Sequence, residues 1–469
     1  MRQIGLVFWK DVRHLWRELC LYALILLAFA FVAPQVWAGR TPVGFVEVFV
    51  TLLKVLMVAS WLVLIARVVH ADGLVGDDKF WLTRPYRWQS LLGAKVLFVV
   101  MCVFLPFILM QWGLLLQAGL NPFEAKAGMA LCLLRIGLNV MLPFLVIATV
   151  TDSLATVFSF VAGIMVTWAA LLTFIMTKTD NRMSPPYSLA VFCVAMGGLM
   201  FGIVVYQYAQ RRTMSSRLAI GGVLGLFLLM IFGYDRGGFG NPIKALIRNH
   251  YPVSDSVRLS FAENLPYNER GEDNLQILRD QVEVKLPIKI DGLPPEAKLR
   301  SPHIALEING GGAHYASPWQ DAALSEHAVG FVLPKDVLDR FVAVNAKVRL
   351  ELVAEELMPT NMKATTVSER FAGPMNGVCG LMQGQVICRY SYREWTPARA
   401  ELDGCGQRSI VLMRHVPAGT TPDPVVNEVL HFEKVCEGAQ LIFTEYSKSK
   451  EIRLEVGAEN VRLGSFRAQ

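Results

Sequence analysis

Seven stretches of this chain are apolar for long enough to cross a bilayer, and no other feature narrows the possible folds as much. A crossing helix needs ~20 residues rising 1.5 Å each. Only a helix or a closed barrel satisfies every backbone group where no water is present. The runs are Leu21–Ala38, Phe49–Ala66, Val96–Ala118, Gly128–Thr149, Leu154–Thr177, Tyr187–Tyr208 and Leu218–Tyr234, the last being the shortest. The chain is 53% hydrophobic and 18% charged, but the average hides a division near Tyr234. Beyond it, charge and two-residue alternation replace the apolar runs. The expected organisation is an amphipathic helix over 1–20, a polytopic α-helical membrane domain over 21–234, a linker over 235–249 and a soluble all-β domain over 250–469.

In the leader "MRQIGLVFWKDVRHLWRE", Ile4, Phe8, Val12, Leu15, Trp16 and Leu19 recur at helical spacing, and Arg2, Lys10, Asp11, Arg13, Arg17 and Glu18 fill the other positions. The leader is too long and too structured for a cleaved signal peptide. Its pattern predicts a helix lying in the membrane interface, with Phe8 and Trp16 sunk into it; a plain cytoplasmic extension of the first span is the alternative.

Basic residues mark the cytoplasmic side. With the amino terminus inside, the inner segments carry twelve: Arg2, Lys10, Arg13, Arg17, Arg67, Lys79, Arg84, Arg87, Lys95, Arg211, Arg212 and Arg217. The outer loops carry four: Arg40, Lys126, Lys178 and Arg182. An inside amino terminus followed by seven spans puts the β domain outside. Its cysteines agree. Cys379, Cys388, Cys405 and Cys436 all lie in the soluble half, and an even number suits an oxidising compartment with two disulfides. "GVCGLMQGQVICRY" reads as a tight hairpin, which pairs Cys379 with Cys388 and, by elimination, Cys405 with Cys436.

From about Asn249 the period is two. In "DQVEVKLPIKID" Val282, Val284, Leu286, Ile288 and Ile290 share a face, and Pro287 suggests an edge strand. Similar runs at "HIALEI", "AVGFVL", "KVRLELV", "QVICRY", "SIVLM", "QLIFTEY", "EIRLEV" and "VRLGSF", with one helical segment at "PKDVLDRF", predict a β-sandwich of about 200 residues or fewer.

Little here points to catalysis. The histidines of the soluble half have no metal-ligand spacing, and the cysteine spacings match no zinc pattern. "NGGGAH" follows a strand and opens no helix, so it reads as a hairpin turn. The formal net charge of +6 includes no dense basic tract of the kind that tracks nucleic acid. No catalytic, cofactor or metal site is expected. Two charges fall inside spans, Lys54 and Arg135, both roughly 10 Å deep on the outer side. They either line a pathway or snorkel to the interface.

The segment "DDKFWLTRPYRWQSLLGAK", Asp77–Lys95, holds far more chemistry than a turn between spans requires. It combines a rigid proline, the aromatic residues Phe80, Trp81, Tyr86 and Trp88, and charges at Asp77, Asp78, Arg84, Arg87 and Lys95. Aromatic residues and arginine are enriched at interface hot spots, and also in membrane-interface belts.

This segment resembles the cytoplasmic loop of bacterial ABC transporter permeases of the exporter type. That family shows an acidic start, an "L-x-x-P-x-x-R/W" centre, and "LL-x-x-K" entering the third span. Asp77 and Asp78, Leu82, Pro85, Arg87, Leu91, Leu92 and Lys95 occupy those places, and Lys10–Asp11 resembles the family's start. The resemblance covers about Met1 to Tyr234. It implies a permease subunit in the bacterial inner membrane, pairing with a second permease subunit and a separate ATP-binding subunit that docks on the loop. It also implies an amphiphilic cargo. The chain lacks G-x-x-x-x-G-K-[ST], so a partner would have to bring the nucleotide site. The family usually has six spans and no large terminal β domain. The competing reading is a non-transporting receptor or sensor whose outer β domain binds a ligand or partner.

Overall fold

The computed structural model describes residues 2–37, 44–71, 87–178, 186–210, 212–235, 251, 253–254, 256–262, 281–317, 319–324, 327–382, 384–391, 398–404, 407–413, 423–432 and 434–466. The expected linker, apart from Asp235, lies outside these residues. So do Asp77, Asp78, Phe80, Trp81, Arg84, Pro85, Tyr86 and Cys405.

The amino-terminal half is helical: α1 (Arg2–His14), α2 (Trp16–Trp37), α3 (Phe45–His70), α4 (Trp88–Gln117), α5 (Lys126–Val150), α6 (Leu154–Lys178), α7 (Pro186–Gln210) and α8 (Thr213–Asp235). Among the described residues, four helices are long and apolar enough to cross a membrane, α2 to α5, with 22, 26, 30 and 25 residues. The expectation of seven spans is thus supported for four. Large apolar side chains such as Leu24, Phe31, Val55, Leu109, Leu116 and Leu134 point outward from them, as spans require where lipid replaces water. The inward faces meet around Phe29, Met57, Trp61, Phe98, Phe107 and Ile136. The third span starts eight residues before its expected Val96, because Trp88–Lys95 continues the helix.

Both α4 and α5 contain a π-helical turn, at Val99–Phe104 and Gly137–Met141. Each turn runs into the same short sequence, Leu105–Pro106–Phe107 and Leu142–Pro143–Phe144. Proline has no N–H to donate, and its ring crowds the carbonyl four residues back; a widened turn relieves both. The two turns face one another, since a Cβ on Gly137 would lie 3.6 Å from the Phe104 ring. A side-chain chain fastens the α4 turn. Trp61 Nε1 donates to Tyr22 Oη at 3.1 Å, and Tyr22 Oη donates to the Val103 carbonyl at 3.0 Å.

The carboxyl-terminal half is strand-rich, but not the single sandwich expected. A seven-stranded sheet runs β13 (Gln407–Met413), β12 (Ala398–Gly404), β15 (Gln440–Val461), β8 (Ala346–Thr366), β3 (Lys298–Gly310) and β4 (Ala313–Ala316), with β5 (Gln320–Asp321) also pairing β3. Two four-stranded sheets pack on it. One is β1 (Arg258–Phe261), β2 (Gln281–Asp291), β7 (Ala328–Pro334) and β6 (Ala323–Leu324); the other is β14 (Val425–Leu430), β11 (Gln385–Ser391), β10 (Val378–Met382) and β9 (Phe371–Ala372). Each encloses its own core. Val284, Ile304, Phe331, Leu350 and Leu454 build the first; Val386, Cys388, Ala400, Leu441 and Phe443 build the second. The 21-residue β8 and 22-residue β15 run through both. Their outer face carries cross-strand ion pairs, including Lys347–Glu459 at 2.7 Å and Arg349–Glu455 at 2.9 Å.

Two local expectations need correction. Pro287 is not on an edge strand: β2 lies between β1 and β7, and Pro287 sits where pairing passes from β7 to β1. "VRLGSF" is no strand beyond Val461, because Leu463–Phe466 forms a 3-10 turn. The segment "PKDVLDRF" does form a helix, α9 (Lys335–Phe341).

Candidate functional site

Chemistry-bearing side chains gather at the two opposite ends of the helical unit. At one end α1 lies along the start of α4. Ile4 approaches Gly93, and Val7 and Leu15 are buried, with Ile4, Phe8, Val12 and Leu19 packed against the helical core. The expected apolar face therefore meets protein, while Leu6, Trp9 and Trp16 are left exposed. Of the two aromatic residues expected to sink into the membrane interface, Trp16 points outward and Phe8 packs on the helical core. Asp11 was expected on the solvated face and is wholly buried. Its Oδ2 lies 2.7 Å from Lys95 Nζ, and Lys95 is 1% exposed. Lys10 Nζ stands 3.6 Å from the other carboxylate oxygen. Lys95, expected as part of the docking loop, is buried in this pair and ties α1 to the helix that leaves the loop. Of the other loop residues described, Arg87 is exposed and precedes α4 with an extended backbone, and Trp88 packs partly on the helical core. The same end is closed by Arg67–Glu18 at 2.6 Å and by Arg217, whose Nη2 donates to the Val150 carbonyl at 3.0 Å.

At the other end the second β core sits on the span termini. Val425 belongs to the helical core, Val378 packs against it, and Leu131 of α5 packs against the β core. Arg389 of β11 donates through Nη2 to the carbonyl of Trp37, the last residue of α2, at 2.5 Å. Asn376 Nδ2 donates to Glu124 Oε2 at 2.5 Å, just before α5 begins. Gly119, beyond the end of α4, has φ +78, and a Cβ there would fall 2.6 Å from Arg370 Nη2. The positive φ calls for glycine, and any side chain there would also have to displace the end of Arg370. The carbonyls at a helix carboxyl end lack intrahelical partners and carry partial negative charge, so arginines arriving at α2 and α4 are well placed. Burial lowers the Arg389 pKa, and neighbouring Arg370 lowers it further. Asp423 is pushed up by burial, against the opposing pull of the Val425 N–H, Lys54 and the Trp37 side chain. The expected pathway residue Lys54 is therefore an electrostatic neighbour of a β-domain carboxylate.

No protein-family model and no curated protein matches the chain.

The other expected residues divide. Arg135 lies one turn from Cys132 on α5, and Cys132 is within hydrogen-bond reach of Gln111 on α4. Cys379 and Cys388 are directly opposed on β10 and β11 and joined by a disulfide. Cys436 is disulfide-bonded as well; its expected partner Cys405 lies outside the described residues. Among the described residues no group of three or more His, Cys, Asp or Glu is placed to hold a metal ion. Sequence reasoning missed Asp11, Trp37, Gly119, Glu124, Arg370, Asn376, Arg389 and Asp423. Asp11 alone gave a signal: it shares helical spacing with Ile4, Phe8 and Leu15, so it falls on the face that packs.

Proposed function

We propose that this protein is the membrane-spanning subunit of an ATP-driven exporter, moving an amphiphilic cargo with energy from a separate ATP-binding subunit. It would work beside a second permease subunit in a bacterial inner membrane. The observation that carries this reading is the buried Asp11–Lys95 pair. It makes one body of the amphipathic helix and the helix that follows the permease-like loop, so a partner on that loop would push on a span rather than on a slack connection.

The arrangement of the ends supports the proposed orientation. The α1 side holds Lys95, Arg67 and Val150, whereas the β sheets meet Trp37, Gly119 and Glu124 at the other ends of the same helices. Helices α2 to α5 return the chain to the α1 side. Reaching the β half then takes an odd number of further crossings, and α6, α7 and α8, with 25, 25 and 23 residues, supply three. The proposed arrangement is therefore seven spans, a cytoplasmic amino terminus and an extracytoplasmic β half. The disulfide at Cys379–Cys388 fits that compartment.

The second reading, a non-transporting receptor, draws support from the direct bonds Arg389–Trp37 and Asn376–Glu124, which would carry a ligand signal into the spans. Affinity purification from native membranes separates the two. An exporter subunit brings down an ATPase whose turnover changes in its presence; a receptor brings down none.

A further inference from the structure

Arg370 and Arg389 bring two positive charges to the rim of the helical unit, and among the described residues neither has a carboxylate partner. They flank Val378: Arg389 is its cross-strand neighbour, and Arg370 precedes Phe371, which opens β9 and pairs with Cys379. Arg370 Nη2 and Val378 Cγ2 both approach Gly119, at 2.6 Å and 3.9 Å from its would-be Cβ. Two carboxylates at this end are engaged elsewhere, Glu124 with Asn376 and Asn121, and Asp423 beside Lys54. The ends of α2 and α4 offer about half a negative charge each, roughly one in all against two guanidinium charges.

The surroundings say which anion fits. Gly119 lies two residues past the end of a 30-residue apolar helix, at the level where hydrocarbon gives way to headgroups. On the adjoining surface Trp112 and Phe123 stack edge to face, ring centroids 5.4 Å apart, both exposed, with Leu116 exposed one turn from Trp112 toward the helix end. Exposed aromatic side chains at a span end are the signature of the interfacial belt.

We propose that Arg370 and Arg389 form a binding site for the phosphate of an anionic lipid headgroup in the leaflet facing the β half. The guanidinium N–H groups donate to the phosphate oxygens, a pairing their planar fork suits, while the acyl chains lie along Leu116, Trp112 and Phe123. Such a site would exist whether or not the chain transports anything.

The test uses the full chain, solubilised with mixed lipids and examined by native mass spectrometry for retained phosphatidylglycerol against phosphatidylcholine. Phosphatidylglycerol should be retained at least about tenfold more, the scale of one good charged contact. Arg370→Gln should erase the preference and Arg370→Lys should keep part of it; Arg370 is exposed, so both variants should melt as the parent does. Equal retention of the two lipids overturns the site. So does a folded Arg370→Gln protein that keeps the preference, which would leave the arginines as caps of helix ends. A third arm replaces lipid with inorganic phosphate in a thermal-shift assay. Phosphate stabilising the protein as well as the lipid does would assign the site to a free anion and overturn the headgroup.

Discussion

Replacing Lys95 by methionine should detach α1 from the helical unit, and the cost can be worked from the geometry. The pair is 2.7 Å apart with both side chains essentially unexposed. At an effective dielectric of about 20 their attraction is roughly 6 kcal/mol, but desolvation of two ions cancels much of it. What remains measurable is the cost of orphaning one member, about 3–5 kcal/mol for a buried pair. Asp11→Asn should reach that range. Lys95→Met should be the milder change, since Lys10 at 3.6 Å can still face Asp11. The double variant Asp11→Leu/Lys95→Met leaves no charge to orphan and should be close to neutral. Midpoints of denaturant-induced unfolding in mixed micelles, read by tryptophan fluorescence, give the double-mutant cycle, and proteolysis of α1 reports detachment directly. Single variants costing under about 1 kcal/mol, or a double variant as poor as their sum, would refute the latch.

Three further outcomes are expected. Gly137→Ala should be tolerated, because its Cβ would make ordinary contact with Phe104 at 3.6 Å; Gly137→Leu should cost about 1–3 kcal/mol by overpacking the paired π turns, measured in the same unfolding assay. Removing the Cys379–Cys388 bridge, which spans 9 residues, should destabilise the β half by about 2.5 kcal/mol, seen by comparing the double Cys→Ala variant with the parent. His303 is buried beside Arg300, and its pKa is lowered to about 4, by burial first and by that arginine second. The unfolded chain therefore binds more protons between about pH 6.5 and 4, so stability rises with pH across that window and is lost on acidification by up to about 3 kcal/mol; a His303→Gln variant should flatten the stability-versus-pH profile there.

What the sequence made legible was whatever a single physical constraint dictates. Apolar length marks α2 to α5 because hydrocarbon allows no unpaired backbone. The change to a two-residue period marks the strand-rich half, and a short spacing marks Cys379–Cys388. The rest depends on partners distant in sequence. Strand β15 was read as two strands because "SKSK", Ser447–Lys450, is polar throughout; these four residues are exposed at the waist between two cores, and the pairing with β8 shifts register there. Helical spacing puts Asp11 on the face of Ile4, Phe8 and Leu15, but nothing local names its partner until α4 arrives with Lys95. Arg389 looks like any outward residue of an alternating strand, yet it meets Trp37, 352 positions away.

The measurement closest to the central claim is recovery of an ATP-binding subunit with this chain from mild detergent extracts of native membranes, using the parent and a Trp81→Ala/Arg84→Ala variant. The parent should bring down an ATPase whose turnover depends on its presence. The variant should lose that partner by a few kcal/mol of binding, the range of interface hot spots, while retaining its Cys379–Cys388 disulfide and its melting behaviour. A parent that recovers no ATPase, or a well-folded variant with unchanged recovery and turnover, would contradict the exporter reading and its docking loop.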